Sequence, residues 1–343
     1  MFPPEKFLSF APANSNPWPL APNLRMEALT PTFGEPGADE PPLLTLITVF
    51  SNYRYSQLMR SLYCLARQAW RNFEVIVVDN GSTDGMASAV PPFMPYVPGL
   101  KLIRLEREGF TACPTAGIKA ALPLARGKVI AAMQPEIMLV EDATRFLYEA
   151  HFEEQRETNS YVFKRPELDA MTRPRRYVSL RIGFLDPSCQ NAIDGVDWQS
   201  STRNIEGLAD FYRHGLGLAH WGNTKWKTEE MPFWFCGSAL ADDPLWSDLP
   251  VFRGHASIDF WLLNYRHVNG YRDINNPGFY GYHQSHLMTA IAPLENSDNC
   301  EQYLVSQDGI LAALDAQGRW PPDYPRRPLR TSAEVYQSMK ART

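Results

Sequence analysis

The chain has 343 residues, 44% of them hydrophobic, which is enough for one large domain or two small ones to bury a core. With 33 basic and 38 acidic side chains the net charge is −5, so no basic surface for nucleic acid or an anionic membrane is expected. The five cysteines form no CxxC pair, which argues against a disulfide framework or a zinc knuckle and indicates a reducing compartment.

The first 42 residues carry no sign of a membrane or export signal. They lack the basic region and apolar core of a signal peptide, and no apolar run in the chain approaches the roughly 20 residues that span a bilayer. We therefore expect a cytoplasmic protein with no transmembrane segment, which reaches a membrane only by peripheral association. Residues 1–42 are rich in proline, which predicts an extended arm. Trp18, Leu20 and Phe33 favour an arm that wraps the domain, with a disordered tail as the alternative.

Residues 43–150 alternate between strand and helix patterns. Such alternation predicts an α/β fold with right-handed crossovers and a mostly parallel sheet. The predicted strands are 44–50, 73–79, 100–105 and 128–133. The predicted helices are 55–68, 115–125 and one from 140 to about 154. Gly127 follows the second helix and suits a left-handed cap.

The remainder of the chain has weaker patterns. Residues 152–230 are polar and irregular, with a basic cluster at 173–176, and we expect them to pack over the sheet and shape an acceptor site. An elaborated surface excursion is the alternative. The later predicted elements are an apolar stretch at 233–241, a helix at 258–268, a strand at 278–286 and a helix at 301–316.

A carboxylate and a Gly/Ser/Thr turn come directly after the second predicted strand, in Asp79-Asn80-Gly81-Ser82-Thr83-Asp84. Ligands of open parallel sheets sit beyond the carboxyl ends of the strands. Asp79 could there accept a hydrogen bond from a ribose hydroxyl or a base N–H, which favours a nucleotide-type ligand. Ser82, Thr83 or Asp84 could cap the helix that follows, and turn and cap chemistry is the alternative for the whole string.

Three further groups could complete a site. Glu136 follows the strand 128–133 and could hold a divalent cation on phosphate oxygens, although a solvated turn residue is the alternative. His283 and His286 lie in an aromatic segment, and an imidazole among oxygen ligands suits Mn²⁺ better than Mg²⁺. Asp259 lies just inside the helix predicted at 258–268, where a capping or dipole role is the ordinary one.

Together these segments resemble the family 2 glycosyltransferases, which have the GT-A fold, over about 43–286. VIVVDNGSTDG is similar to the family's strand and Asp-Asp-Gly-Ser-Thr-Asp string, and the stretch from Gly109 to Ile118 is similar to its glycine frame. GKVIAAMQPEI stands where the family has a strand and its Asp-x-Asp metal motif. FWFCGSAL resembles the acceptor-side segment, and SIDFWLLNYRHVNGYR resembles the helix that carries the catalytic base.

The resemblance implies an α/β fold of the GT-A type. Its central sheet would be Rossmann-like and mostly parallel, flanked by helices, with an acceptor-side subregion and an extended N-terminal arm. The implied units are a Pro-rich arm at 1–42, a nucleotide-sugar-binding half at 43–150, an acceptor-binding and catalytic half at 151–290 and a C-terminal helical tail at 291–343.

The resemblance also implies a hexosyltransferase-like activity. A sugar would pass with inversion from a nucleotide sugar, by analogy a UDP-sugar, to a glycan or another hydroxyl acceptor. Asp259 would be the catalytic base, and Glu136 with His283 or His286 would bind Mn²⁺ or Mg²⁺. The implied nucleotide-sugar contacts are Thr48, Phe50, Asp79, Asn80, Arg107 and Gln134. The implied acceptor-side residues are Trp221, Cys236 and Gly237.

Several positions depart from the family pattern. Asn80 replaces a second Asp, and Gln134 replaces the first carboxylate of the metal motif. Pro114-Thr115 replaces Arg-Asn, and Ile258 replaces the acid before the base. These departures motivate the alternative of a degenerate GT-A domain that binds nucleotide or glycan without turnover. A sugar-phosphate nucleotidyltransferase ranks lower, because the loop 50–54 lacks the glycines of that class's phosphate loop.

Overall fold

The computed structural model describes residues 26, 29–31, 41–51, 55–83, 85–106, 114–139, 143–153, 175–184, 236–251 and 271–284, and residues 258, 261, 262, 265, 266, 269, 315 and 318. These residues contain a single eight-stranded sheet with helices on both faces. None of the helices among them combines the length and the apolar character needed to cross a bilayer.

Parallel strands form the first half of the sheet. The strands β1 (Leu44–Phe50) and β2 (Phe73–Asp79) are buried along their whole length, as expected where helices cover both faces. β3 (Lys101–Arg104) pairs with β2, and β4 (Val129–Met133) pairs with the other side of β1. The four predicted strands are confirmed. The third is shorter by one residue at each end and the fourth by one residue at its start.

The second half of the sheet mixes strand directions. It contains β5 (Ile137–Leu139), β6 (Arg176–Phe184), β7 (Cys236–Leu240) and β8 (Arg272–His283), and the full order is β3-β2-β1-β4-β7-β6-β8-β5. β7 runs antiparallel to β4 and β6, and β5 runs antiparallel to β8. The other four pairings are parallel, so the predicted mostly parallel sheet is confirmed.

The helices are shorter than the patterns predicted. They are α1 (Tyr55–Ala66), α2 (Thr115–Ala121), α3 (Ala143–Glu149) and α4 (Pro244–Asp248). α1 buries the predicted face, Leu58, Leu62 and Leu65. α2 gives way to a 3₁₀ turn at Leu122–Leu124, because Pro123 has no N–H to continue the α-helical hydrogen bonds. The described residues 258, 261, 262, 265 and 266 are helical, in agreement with the predicted helix at 258–268.

The sheet separates two apolar clusters. One includes residues of α1 and α3 and the buried side chain of Leu29, and Met26 packs against this cluster. The other includes residues of α2 and α4 together with Trp261. The described part of the N-terminal arm therefore packs on the α1 side of the sheet. Trp18, Leu20 and Phe33 lie outside the described residues.

β6 was missed by the prediction of an irregular segment at 152–230. The charge of its first residue hid this strand, because Arg176 is also the last residue of the basic cluster at 173–176. The Arg176 guanidinium donates from Nη1 to the carbonyl oxygens of Ala150, His151 and Glu153, at 3.3, 2.9 and 2.7 Å. These carbonyls follow the end of α3, where basic side chains commonly bind. The arginine is thereby satisfied beside the sheet, and Tyr177 and Val178 are buried in the strand.

Gly127 is not the left-handed cap that the sequence predicted. It is absent from the positive-φ glycines of the described residues. Its Cβ would instead lie 2.7 Å from the carbonyl carbon of Leu44, and its N–H donates to Thr45 Oγ1 at 2.8 Å. Glycine is needed here because the backbone just before β4 lies so close to the start of β1 that a Cβ atom would clash.

The buried carboxylate of Glu74 bonds to residues of neighbouring strands at the end of the sheet where the parallel strands begin. Oε1 accepts from Thr45 Oγ1 and from the Arg126 N–H, both at 2.8 Å. Oε2 contacts Lys101 Nζ at 2.9 Å and Arg126 Nε at 3.1 Å. Burial alone would raise the pKa of Glu74, but the hydrogen bonds from Lys101, the Arg126 amide and Thr45 outweigh it and hold the pKa below its usual value. The carboxylate is therefore charged at neutral pH.

Replacing Glu74 by Gln is expected to destabilise the fold. The substitution leaves Lys101 and Arg126 without their buried counter-charge, which should lower the free energy of unfolding by about 2–4 kcal/mol. Urea denaturation of both proteins measures this loss. Glu149→Gln is the control, because Glu149 contacts Arg145 at 2.7 Å in an exposed pair and should contribute less than about 0.5 kcal/mol. If both variants lost equally little free energy of unfolding, Glu74 would contribute no more to stability than an exposed ion pair does.

A second buried polar contact links the end of α3 to β7. His151 Nε2 lies 2.9 Å from Ser238 Oγ, and Ser238 Oγ donates to the Leu147 carbonyl at 2.9 Å. Because the single hydroxyl proton goes to Leu147, Nε2 carries the ring hydrogen and donates to Ser238. Burial, reinforced by the Arg176 charge, lowers the pKa of His151 to about 3.

Because the pKa of His151 is lowered, the free energy of unfolding depends on pH in the mildly acidic range. Between the folded pKa of about 3 and the unfolded pKa of about 6.5, the unfolded chain binds the extra proton, so stability falls as pH falls through this window. His151→Gln keeps an N–H near the Nε2 position and does not titrate. We expect its melting temperature to fall less steeply than that of the wild type from about pH 7.5 to about pH 5. Parallel slopes for the two proteins would contradict this assignment.

Candidate functional site

The candidate site lies where β2, β1 and β4 end. Phe50 stands opposite Asp79, and Thr48 stands opposite Met133. Neighbouring strands are about 4.8 Å apart, so Asp79 and the turn after Met133 are separated by two strand spacings, about 10 Å. The carboxyl edge of the sheet thus brings together the predicted contacts Thr48, Phe50, Asp79, Asn80 and Gln134.

Asp79 organises the turn that follows β2. Its buried carboxylate accepts the Ser82 N–H at Oδ1, at 2.8 Å, and faces Arg104 Nε from Oδ2 at 3.2 Å. Arg104 also donates from Nη2 to the Ser82 carbonyl at 2.8 Å. Gly81 adopts a φ of 70°, which a glycine supplies without strain. Asp79 therefore has a structural role in the turn, which its contacts with the Ser82 N–H and Arg104 hold in place.

The segment after this string is not the regular helix that Ser82, Thr83 or Asp84 was predicted to cap. The next helical segment is a 3₁₀ turn, Met86–Ala89, with Gly85 before it and no side-chain cap. Ser82 contributes its backbone to the Asp79 turn instead, and Asp84 lies outside the described residues. The tight turn around Gly81 and Gly85 leaves no regular helix for these side chains to cap.

Arg104 is a site residue that sequence reasoning missed. It closes β3, where it stands in register with Asp79, and about 42% of its side chain is exposed. The basic residues at the two ends of β3 are visible in the sequence, but only the β2–β3 register shows that the last one, Arg104, reaches this carboxylate. Arg107, which the resemblance implied, lies outside the described residues.

Glu136 and His283 meet at the other end of the edge. Glu136 sits in the turn between β4 and β5, and the antiparallel pairing of β5 with β8 sets Ile137 opposite His283. Glu136 Oε1 and His283 Nε2 are 3.4 Å apart, and both side chains are buried. Two of the three predicted cation ligands are thereby brought together, and His286 lies outside the described residues.

The donor chemistry around this pair fits a hard divalent cation. Gln134 Oε1 is buried and has no hydrogen-bond partner within the described part of the chain, as is also true of Thr48 Oγ1. Carboxylate and amide oxygens suit Mg²⁺ and Mn²⁺, and an imidazole shifts the preference toward Mn²⁺. The described residues contain no group of three or more His, Cys, Asp or Glu side chains that could hold a metal. Cations of this kind often take only one or two protein ligands and complete their shell with substrate phosphates.

The predicted acceptor-side residues begin β7, beside the end of β4. Cys236 stands opposite Met133 and Gly237 opposite Ala132. Cys236 is buried, and burial raises the pKa of its thiol, which excludes a thiolate at neutral pH. The ring of Tyr177 occupies the space that a side chain at Gly237 would need. Trp221 and the predicted base Asp259 lie outside the described residues, although Ile258 next to Asp259 is helical.

Comparison with known families adds a sequence-level match to this geometry. The model of the family described as glycosyl transferase family 2 matches residues 45–133, which run from β1 to the end of β4. The match agrees with the GT-A type of fold that the sequence predicted. The matched segment contains Thr48, Phe50, Asp79 and Asn80 and stops directly before Gln134 and Glu136. None of the curated proteins compared with this sequence matches it.

Three solved structures are among those similar to this chain. S. aureus TarS 1-349 in complex with UDP-GlcNAc has 16% identity and a TM-score of 0.49, over 79% of this chain and 66% of that one. S. aureus TarS has 16% identity and a TM-score of 0.46, over 80% of this chain and 43% of that one. The mannosyltransferase PcManGT from Pyrobaculum calidifontis in complex with GDP-Man and Mn²⁺ has 15% identity and a TM-score of 0.43, over 95% and 84%. The chain thus spans less than two thirds of the length of either TarS chain.

Proposed function

We propose that this protein is a metal-assisted, inverting glycosyltransferase that transfers a sugar from a UDP-sugar to an acceptor hydroxyl, such as that of a glycan. One observation carries the proposal. The parallel strands of the family-matched segment end at a single edge of the sheet, which carries the buried carboxylate of Asp79. The same edge carries, from outside that segment, the carboxylate–imidazole pair of Glu136 and His283. Such an edge is where open α/β sheets bind their ligands.

The nucleoside would bind at the Asp79 end. A charged carboxylate can accept from the N–H of a uracil or from a ribose hydroxyl. Arg104 and the Ser82 N–H hold that carboxylate in one orientation, which reduces the entropy lost when a ligand binds. Phe50 stands opposite it on β1, Thr48 lies two residues earlier on that strand, and Asn80 follows Asp79 in the chain, so these residues would form the adjoining wall.

The diphosphate would bind at the Glu136 end. Glu136 and His283 would hold the cation, with His286 as the alternative imidazole, and Gln134 would supply an amide oxygen nearby. When bound, Mn²⁺ or Mg²⁺ offsets the negative charge that develops on the departing nucleoside diphosphate.

The sugar transfer itself would be a single displacement with Asp259 as base. Asp259 takes the proton of the acceptor hydroxyl as its oxygen attacks the anomeric carbon from the face opposite the diphosphate. The bond from that carbon to the phosphate oxygen breaks, and the electron pair leaves with the nucleotide. Orientation and electrostatic stabilisation would account for most of the rate, because no covalent intermediate forms.

Nucleotide and cation together should stabilise the wild-type protein against heat. A ligand at 100 times its Kd adds about 2.7 kcal/mol, which raises the melting temperature by several degrees. Asp79→Asn should reduce the shift caused by UDP, and Glu136→Gln should remove the further shift caused by MnCl₂. Glu149→Gln, on the exposed end of α3, should behave like the wild type. GDP measured beside UDP tests the choice of base, and no shift with any nucleoside diphosphate would refute the proposal.

Asp259→Asn should separate catalysis from binding. Loss of a general base typically slows turnover about 10²–10⁴-fold, whereas the UDP-induced rise in melting temperature should remain. Slow hydrolysis of the UDP-sugar is the assay, since it needs no knowledge of the acceptor. Hydrolysis that is unchanged in the variant would remove Asp259 from the mechanism.

The second candidate function is a GT-A domain that binds nucleotide or glycan without turnover. One observation favours it: Gln134 and Asn80 stand where the family pattern has carboxylates. This candidate predicts the same stabilisation by nucleotide but no hydrolysis by the wild type or by Asp259→Asn.

A further inference from the structure

The turn that carries Glu136 is fixed by side chains from two distant parts of the chain. Ser61, on α1, donates its hydroxyl to the Pro135 carbonyl at 2.6 Å. The backbone N–H and side-chain Nε2 of Gln284 both donate to the Glu136 carbonyl, each at 3.1 Å. Pro135 adds a locked φ to the same turn. The Glu136 backbone is therefore held from α1 on one side and from the end of β8 on the other.

Gln284 is fully buried, and its side-chain amide forms hydrogen bonds with three partners. Besides the Glu136 carbonyl, Nε2 donates to the Gln57 carbonyl at 3.0 Å. Oε1 accepts from Arg60 Nη1 at 3.2 Å. Arg60 is itself only 1% exposed, and burial lowers its pKa to about 10, so the guanidinium still carries its charge at neutral pH. A buried, charge-assisted hydrogen bond thus fixes Gln284 to α1.

We propose that Gln284 is a positioning residue for the Glu136–His283 pair, with Arg60 as its anchor on α1. Gln284 directly follows His283 in the chain, and its side chain bonds the backbone of Glu136. It therefore helps to fix the separation of a side chain at the end of β8 from one in the turn between β4 and β5. This inference rests on the proposed function, which assigns the pair as cation ligands. Outer partners of metal ligands commonly change metal affinity about 10–100-fold when they are removed.

Gln68 provides a matched control within the same protein. It too is a buried glutamine close to α1, and its Oε1 accepts from the N–H and hydroxyl of Thr144 at 3.3 and 3.2 Å. Its Nε2 donates to the Leu139 carbonyl at 3.4 Å, at the far end of β5 from Glu136. Gln68→Met and Gln284→Met therefore both replace a buried amide by an apolar side chain of similar shape, one remote from the pair and one beside it.

Two measurements on the full chain test the proposal. The first is Mn²⁺ affinity at saturating UDP by titration calorimetry, and the second is amide hydrogen exchange of residues 134–139 and 279–284 without ligand. Gln284→Met should weaken Mn²⁺ binding about 10–100-fold and speed exchange in both segments. Gln68→Met should retain wild-type Mn²⁺ affinity and should speed exchange at 143–149 and next to Leu139, where Gln68 bonds the chain, but not at 134–137. Arg60→Met should act in the same direction as Gln284→Met, and it tests the proposal should Gln284→Met fail to fold.

The outcomes separate this proposal from the proposed function. If Gln284→Met matches Gln68→Met in Mn²⁺ affinity, or leaves exchange at 134–139 unchanged, Gln284 has no positioning role and the inference is overturned. If the wild type binds no Mn²⁺ with UDP, the cation site of the proposed function fails. The exchange comparison then still decides whether Gln284 holds the turn and the end of β8 together.

Discussion

The in-register parallel pairing of β2, β1 and β4 is the constraint on which the rest of the molecule depends. Side chains alternate between the two faces of a strand, so a slip of one residue would exchange the two apolar clusters. The same register sets Phe50 beside Asp79 and Thr48 beside Met133. Glu74 holds the opposite edge with Thr45, Lys101 and Arg126. One end of the sheet thus carries a satisfied structural charge, and the other carries the carboxylates of the candidate site.

A second constraint brings the late part of the chain to this edge. β8 pairs with β6 on one side and with the short strand β5 on the other, and β5 begins directly after Glu136. Pairing β5 with the end of β8 therefore delivers His283 and Gln284 to the turn after β4. The Glu136–His283 contact is a consequence of strand pairing, so it needs no flexible loop to assemble it. A site built on paired strands is held more precisely than one built on loops.

The sequence predicted those features that local pattern determines. β1 and β2 were predicted with their observed bounds, because strands covered on both faces read as continuous apolar runs. β6 was not, since its opening Arg176 reads as surface until the carbonyls after α3 are seen to accept from it. The role of Gly127 could not be predicted, because its close approach to Leu44 exists only in the tertiary structure. Arg104, Arg60 and Gln284 were missed for the same reason, although Glu136 and His283 were expected together from family resemblance.

The neutrality of Gln284 matters to the chemistry that its neighbours can perform. A carboxylate at this position would pair with the buried Arg60 and would also place a second negative charge beside Glu136, where like charges raise each other's pKa. An amide at this position connects α1 to the turn through hydrogen bonds alone. It also donates a hydrogen bond to the Glu136 carbonyl, which an ionised carboxylate cannot do. The Arg60–Gln284 link therefore fixes the geometry of the Glu136–His283 pair without altering its charge.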